Sequence, residues 1–274
     1  MRRIVLMFVA NFFRLPYMLF MIFHTNRCRK KYDRATRYAY LHRFVRWANW
    51  GGRVKVHADG MENIPADSGF IMYPNHQGMY DTLTMLEAVD RPFSPVVKIE
   101  LKKVGLLHTV IDMLDGKYMD RRDLRQSMGI ITDMAKQAAA GDAFVIYPEG
   151  TRSRQGNNML AFKAGAFKAA VRARCPIVPV ALIDCFIPFD QPSIRKIDVQ
   201  AHILPAIYYE EYKDMTTHEI AAMVQERIRL KITEVTGVEA QVVEKLKSES
   251  EAQSTQNSHE ASDSQSSRDT HEVQ

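Results

Sequence analysis

The stretch Tyr73 to Asp81 reads YPNHQGMYD, and the chain is best understood outward from it. Phe70, Ile71 and Met72 form a short apolar run that suits a buried strand. Pro74 stops that strand, Gly78 permits a tight backbone, and Asp81 falls at or near the start of the next helix. A strand, a sharp turn and a helix follow one another within a few residues. His76 and Asp81 are five positions apart, which on one continuous helix would set them about 140° apart on different faces. They meet only if the backbone turns between them. A carboxylate bonded to one imidazole nitrogen fixes the tautomer and leaves the other nitrogen to take a proton, which is the arrangement of a general base. Taken alone, the pair also reads as a loop histidine satisfying a local hydrogen bond.

Strand and helix signals alternate on both sides of this stretch. Val54 to His57 alternates as a strand does, and Gly60, Asn63 and Pro65 mark the turn after it. A helix is expected from about Asp81 to Ala88, an apolar run from Val96 to Ile99 after Pro92 and Pro95, and a further strand at Tyr118 and Met119. Leu124 to Ala140 reads as a helix closed by Gly141, and Ala143 to Tyr147 as a buried strand running into YPEGTRS. Phe162 to Arg174 reads as a helix, Ile177 to Ile183 as a strand through Pro179, and Ile197 to Ile203 as another strand. Thr216 or Thr217 caps a last long helix that Gly237 ends or interrupts. The pattern predicts an α/β fold: a single domain with a mixed, largely parallel sheet flanked by helices. In that class the loops at strand ends carry the chemistry.

Two of those strand ends bring charge. Glu149, Gly150, Thr151 and Arg152 follow one strand directly, and Arg121 follows another. Arg152 can hold a phosphate through two parallel hydrogen bonds, and Gly150 lets the backbone approach a ligand. Lys98 and Lys163 add point charges in similar positions, so an anion site is expected.

Charge is unevenly spread along the chain. Residues 1–46 carry eleven Lys and Arg against one Asp, residues 47–247 carry 25 of each sign, and residues 248–274 carry one Arg against six acids. A basic concentration beside apolar sequence points to an anionic membrane surface, and no nucleic-acid motif accompanies it. Residues 4–23 approach the about 20 needed to span a bilayer, but Asn11, Arg14 and Pro16 interrupt them. The segment either spans imperfectly or enters one leaflet and breaks at Pro16. No small-residue cleavage site follows; Arg27, Arg29, Lys30 and Lys31 do, which predicts a cytoplasmic position for this end. Residues 1–50 are therefore expected to form a membrane-associating helical motif, with an amphipathic basic helix at about 32–50 that otherwise reads as an ordinary helix packed on the domain. Residues 51–247 form the α/β domain, and residues 248–274 an acidic Ser/Gln-rich tail expected to be disordered. Cys28, Cys175 and Cys185 show no metal-ligand spacing, fit a reduced compartment, and leave Cys175 and Cys185 as core residues.

NHQGMYD resembles the NHxxxxD signature of the 1-acylglycerol-3-phosphate acyltransferase family of glycerolipid acyltransferases. VVKIEL is similar to the family's Lys-x-Glu-Leu segment, Tyr118 to Arg121 to its second block, YPEGTRS to its third, FKAGAF to the continuation, and IVPVAL to the fourth. The blocks occur in the family's order over roughly residues 45–210; the second departs from it in carrying Lys117 where an apolar residue is usual. The resemblance implies the glycerolipid acyltransferase fold and direct acyl transfer from a thioester, either acyl-CoA or acyl carrier protein, to the free sn-2 hydroxyl of lysophosphatidate. It implies His76 and Asp81 as the catalytic pair, Arg152, Arg121 and Lys98 as phosphate ligands, and Asn75, Glu149, Gly150, Thr151, Ser153, Lys163 and Pro179 as pocket-shaping residues. No metal or organic cofactor is expected. Membrane lipids are the expected partners, and the catalytic domain is expected on the cytoplasmic face of the cell membrane. Competing readings are another acceptor (a lysophospholipid with a head group, or glycerol 3-phosphate), a thioesterase or lipase, and a non-catalytic lipid-binding protein.

Overall fold

The computed structural model describes residues 2–244; the acidic tail expected from residue 248 lies outside the described residues. The described strands are β1 (Val54–Asp59), β2 (Phe70–Pro74), β3 (Phe93–Lys98), β4 (Lys117–Met119), β5 (Ala143–Val145), β6 (Met159–Leu160), β7 (Ile177–Ile183), β8 (Ile197–Ile203) and β9 (Val242–Val243). Seven of them form one sheet in the order β1-β8-β7-β2-β5-β3-β4, while β6 and β9 pair separately. Every pairing in the large sheet is parallel except β7 with β8. The sheet is thus mixed and largely parallel, as the alternation of strands and helices predicts.

The helices are α1 (Arg2–Ala10), α2 (Leu15–Arg27), α3 (Arg34–Gly51), α4 (Asp81–Ala88), α5 (Gly105–Met113), α6 (Leu124–Ala139), α7 (Lys168–Ala173), α8 (Ile187–Asp190), α9 (Tyr209–Tyr212) and α10 (Thr217–Thr236). They cover both faces of the sheet. All of β2 is buried, and successive side chains alternate between two cores. Phe70 and Met72 pack with Tyr38, Leu41 and Phe44 of α3, whereas Ile71 and Tyr73 pack with Phe167, Ile220 and Val224 on the other face.

Several boundaries depart from the expected ones; β5 ends at Val145 and not at Tyr147, since its pairing with β2 stops there. β3 begins at Phe93 and includes Pro95, because its first half pairs only with β5 and its second half only with β4. The helix expected from Phe162 starts instead as a 3-10 turn, Ala164–Phe167, before α7, and Arg174 ends it in the left-handed conformation. The break in the amino-terminal apolar segment falls at residues 11–14 and not at Pro16, which sits in the first turn of α2 where its missing N–H costs nothing.

No single described helix is long and apolar enough to cross a membrane, while α1 and α2 together pass that test but are bent by 94°. Asn11 holds the elbow: its side-chain amide donates to the Met7 carbonyl and, at 2.9 Å, to that of Trp47 in α3. Arg14 lies over the rings of Trp47 and Trp50. Phe12 and Phe13 are left at the tip, Phe13 93% exposed. Behind them, Arg3 is buried and donates to the carbonyls of Gly52, Pro188, Ser193 and Arg195, which ties α1 to the α/β body.

Candidate active site

β2 ends at Pro74, and its neighbours β5 and β7 end on the same side, so three loops meet at the carboxyl ends of the central parallel strands. His76 lies in the first of them. Its Nδ1–H donates to Asp81 Oδ2 at 2.7 Å. Asp81 is held by three donors in total, since the backbone N–H groups of Gln77 (2.7 Å) and Gly78 (3.1 Å) also reach its carboxylate. The turn that the spacing requires is therefore built around the carboxylate itself. Gly78 serves it by close approach: a Cβ there would stand 2.9 Å from Phe186 Cα.

Five His–Asp pairs occur among the described residues, and burial separates this one from the rest. The Asp81 side chain is wholly buried, whereas the partners of His42, His57, His108 and His202 are 81%, 67%, 30% and 63% exposed. Water competes for those four carboxylates and screens them; it does not reach Asp81. His76 itself keeps 21% of its side chain exposed, so its ring can meet a substrate. Tyr147 stacks on that ring with centroids 4.1 Å apart.

A polar network clamps the His76 turn to the end of β7. Asn75 exchanges two hydrogen bonds with the Leu182 backbone, 3.0 Å to its carbonyl and 2.7 Å from its N–H. Gln77 donates to Leu182 O and Asn157 Oδ1 and accepts from the Cys185 N–H. Asn157 in turn bonds Asp184 through both side chain and backbone. Asn75 was legible as part of the motif; the parts of Gln77, Asn157, Asp184 and Tyr147 were not, since each is defined by a partner distant in sequence.

Glu149 is buried and brackets two loops, accepting from the His76 N–H at 2.7 Å and the Leu160 N–H at 2.9 Å. Burial pushes its carboxyl up to about 8 against the pull of those two N–H donors. Ser153, also buried, donates its N–H to the His76 carbonyl at 2.8 Å. Between them Gly150 adopts φ +78°, a conformation that favours glycine. A Cβ there would meet Lys163 Nζ at 3.1 Å and an Arg121 guanidinium nitrogen at 3.2 Å. Two cations from different elements thus converge on this loop, a suitable setting for an anion.

Arg152 is half-buried two residues farther on and has no hydrogen-bond or ion-pair partner among the described residues; Thr151 beside it is half-buried. Lys98 closes β3 on the exposed rim, paired in register with Met119, two residues before Arg121. Pro179 sits inside β7 opposite Tyr73, so it shapes the site only through the strand that carries Leu182. Cys175 and Cys185 are buried; burial raises Cys175 to about 12 and holds Cys185 well above its ordinary value, which disfavours both as thiolate nucleophiles. Among the described residues no group of three or more His, Cys, Asp or Glu is placed to hold a metal ion.

Residues 53–183 match the family model described as Acyltransferase. Over 130 residues, 47% of this chain and 46% of the relative, the sequence is 31% identical to 1-acyl-sn-glycerol-3-phosphate acyltransferase alpha of Homo sapiens. It is 28% identical to the 1-acyl-sn-glycerol-3-phosphate acyltransferase of Escherichia coli strain K12 over 195 residues, 71% of this chain and 79% of the relative. The chain spans about half the length of the mammalian relatives it matches. In three dimensions it resembles the crystal structure of the 1-acyl-sn-glycerophosphate acyltransferase PlsC from Thermotoga maritima. The TM-score is 0.70 at 24% identity, over 86% of this chain and 97% of that one, a likeness of fold.

Proposed function

We propose that this chain is a member of the 1-acylglycerol-3-phosphate acyltransferase family of glycerolipid acyltransferases and a membrane-associated enzyme that makes phosphatidate, a reading supported by its similarity to the relatives above. It transfers a fatty acyl group from acyl-CoA or acyl carrier protein to the free sn-2 hydroxyl of 1-acylglycerol 3-phosphate. The observation that carries this reading is the juxtaposition, at the carboxyl ends of the central strands, of a buried-carboxylate His–Asp pair with a loop on which Arg121 and Lys163 converge.

In the proposed mechanism His76 Nε2 takes the proton of the acceptor hydroxyl as its oxygen attacks the thioester carbonyl. Asp81, accepting from Nδ1–H, holds the tautomer and stabilises the imidazolium. When the tetrahedral intermediate collapses, the C–S bond breaks, the new C–O ester remains, and the proton passes from His76 to the departing thiolate. No acyl-enzyme is needed, because the nucleophile belongs to the acceptor. Arg121, Arg152 and Lys163 hold the acceptor phosphate, with Lys98 on the rim as a further charge, and Gly150 leaves room for it. Glu149 and Ser153 act on the backbone of His76 and set where the imidazole stands.

The membrane part of the reading rests on the amino-terminal charge of +10 over residues 1–46 and on the aromatic elbow at Phe12 and Phe13. An apolar tip flanked by cations suits one leaflet of an anionic membrane, with the catalytic domain on its cytoplasmic face. Purified protein supplied with radiolabelled acyl thioester and lysophosphatidate tests the function. Labelled phosphatidate from wild type and none from His76→Ala supports it; equal behaviour of the two overturns it. Parallel arms with glycerol 3-phosphate and a lysophospholipid bearing a head group identify the acceptor, and fatty acid released without any acceptor indicates hydrolysis.

A further inference from the structure

Besides the α1–α2 elbow, large apolar side chains are exposed on the α/β body. Val104, Leu106 and Leu107 are exposed where the 3-10 turn Ile99–Lys103 passes into α5, and Leu124, 76% exposed, begins α6. Exposed leucines and valines scattered singly need no account, but Val104, Leu106 and Leu107 fall within four residues of one another, and Leu124 follows a loop tied to the same turn. The Arg122–Glu100 ion pair links the loop before α6 to the turn before α5, and the Tyr118 hydroxyl donates to the His108 carbonyl of α5.

Charge around the patch is one-sided. Between residues 98 and 125 the exposed charged side chains are Lys98, Lys102, Lys103, Arg121, Arg122 and Arg125 against Glu100 and Asp123. The patch also adjoins both features of the proposed function. Arg121 reaches the Gly150 loop, and α5 packs on α2, where Thr25 lies against Met113 and Arg29 bonds Asp115 at 3.0 Å.

We propose that Val104, Leu106, Leu107 and Leu124, ringed by Lys102, Lys103, Arg122 and Arg125, form a second membrane-docking surface that seats the mouth of the anion site on an anionic bilayer. The occupant is the lipid surface itself: leucine side chains enter among the acyl chains while the cations meet lipid phosphates. With the elbow as one contact and this patch as another, the body is held in one orientation, and a lysophosphatidate need not leave the bilayer for its phosphate to reach Arg121. The proposal rests on the acyltransferase reading for its purpose, although not for its binding.

The test uses the full chain with two variants, Leu106→Glu/Leu107→Glu/Leu124→Glu and Lys102→Gln/Lys103→Gln. All three glutamates fall in the first turn of a helix, where an acid is favourable, so folding should persist and circular dichroism checks it. Sedimentation is measured with phosphatidylcholine vesicles lacking or containing phosphatidylglycerol. Acyl transfer is measured to lysophosphatidate carried in the anionic vesicles and to a short-chain lysophosphatidate dissolved as monomers. Each variant is expected to keep the wild-type rate on the monomeric acceptor and to lose about tenfold or more in anionic-vesicle binding and in rate on the vesicle-borne acceptor. Variants equal to wild type in vesicle binding and in vesicle-borne rate overturn the docking surface. A wild type inactive on both acceptors overturns the acyltransferase reading instead, and the sedimentation result still decides the patch.

Discussion

The ring of Tyr147 lies against the imidazole of His76, centroids 4.1 Å apart and planes 26° apart, so one face of the proposed base is covered by an aromatic surface from the neighbouring strand end. Burial and the nearby Asp81 charge push the phenol's ionisation well above its ordinary range, which keeps the ring neutral. A neutral π-face beside an imidazole restricts its rotation and favours the cation formed during proton transfer by about 0.5–2 kcal/mol. Tyr147→Phe keeps the face and is expected to retain most activity. Tyr147→Leu is expected to lower kcat about tenfold with little change in either KM, read by steady-state kinetics on variants whose melting temperatures match.

Asp81→Asn preserves size while offering His76 Nδ1 either an amide donor or a weaker acceptor. It also weakens the bonds from the Gln77 and Gly78 N–H groups. A fall in kcat of roughly 10²- to 10⁴-fold is expected, with a lowered melting temperature. Unchanged kcat in Asp81→Asn would show that the carboxylate only shapes the turn.

Glu149 makes stability depend on pH. Its folded-state value, about 8, lies above its ordinary 4.5. Between those values the folded chain holds a proton that the unfolded chain has released. This contribution is therefore fully present below about pH 4.5 and is lost as pH rises through 8, with a slope of at most about 1.4 kcal/mol per pH unit. Urea unfolding from pH 5 to 9 should show a slope in wild type that Glu149→Gln flattens. The amide that Glu149→Gln introduces would also set a donor against one of the two N–H groups, so the variant is expected to be less stable at the acid end.

Gly150→Ala places a methyl group where Lys163 and Arg121 converge and forces a side-chain-bearing residue into positive φ, at a cost of about 1–2 kcal/mol. Its acceptor KM should rise, as should that of Arg152→Ala, and in both cases by more than the donor KM. The reverse ordering in Arg152→Ala would move the anion site elsewhere.

Membrane release is best tested at the elbow. Deleting residues 1–46 would also strip Tyr38, Leu41 and Phe44 from the core and the Arg3 bonds from the body, so loss of pelleting could not be told from unfolding. Phe12→Asp/Phe13→Asp changes only the tip and is expected to lower vesicle sedimentation severalfold at unchanged melting temperature. Continued full pelleting would count against the elbow as the anchor.

Sequence alone determined the elements with a local signature and the ordered motifs: the apolar runs of β2, β5 and β7, the helix ended at Gly237, and the His76–Asp81 turn. A strand's apolar run and a proline's stop are properties of a few adjacent residues, so they survive reading in one dimension. Tertiary structure decided what converges. That Lys163 joins Arg121 at Gly150, that Glu149 and Ser153 hold the backbone of His76, that Gln77 reaches Cys185, and that Tyr147 covers the imidazole all follow from strand order. The same holds for the break at Asn11, which depends on a carbonyl 36 residues away in α3. The burial that distinguishes Asp81 from four other histidine partners is likewise a property of the packing at the carboxyl ends of the central strands, because desolvation depends on everything around a group and not on its neighbours in the chain.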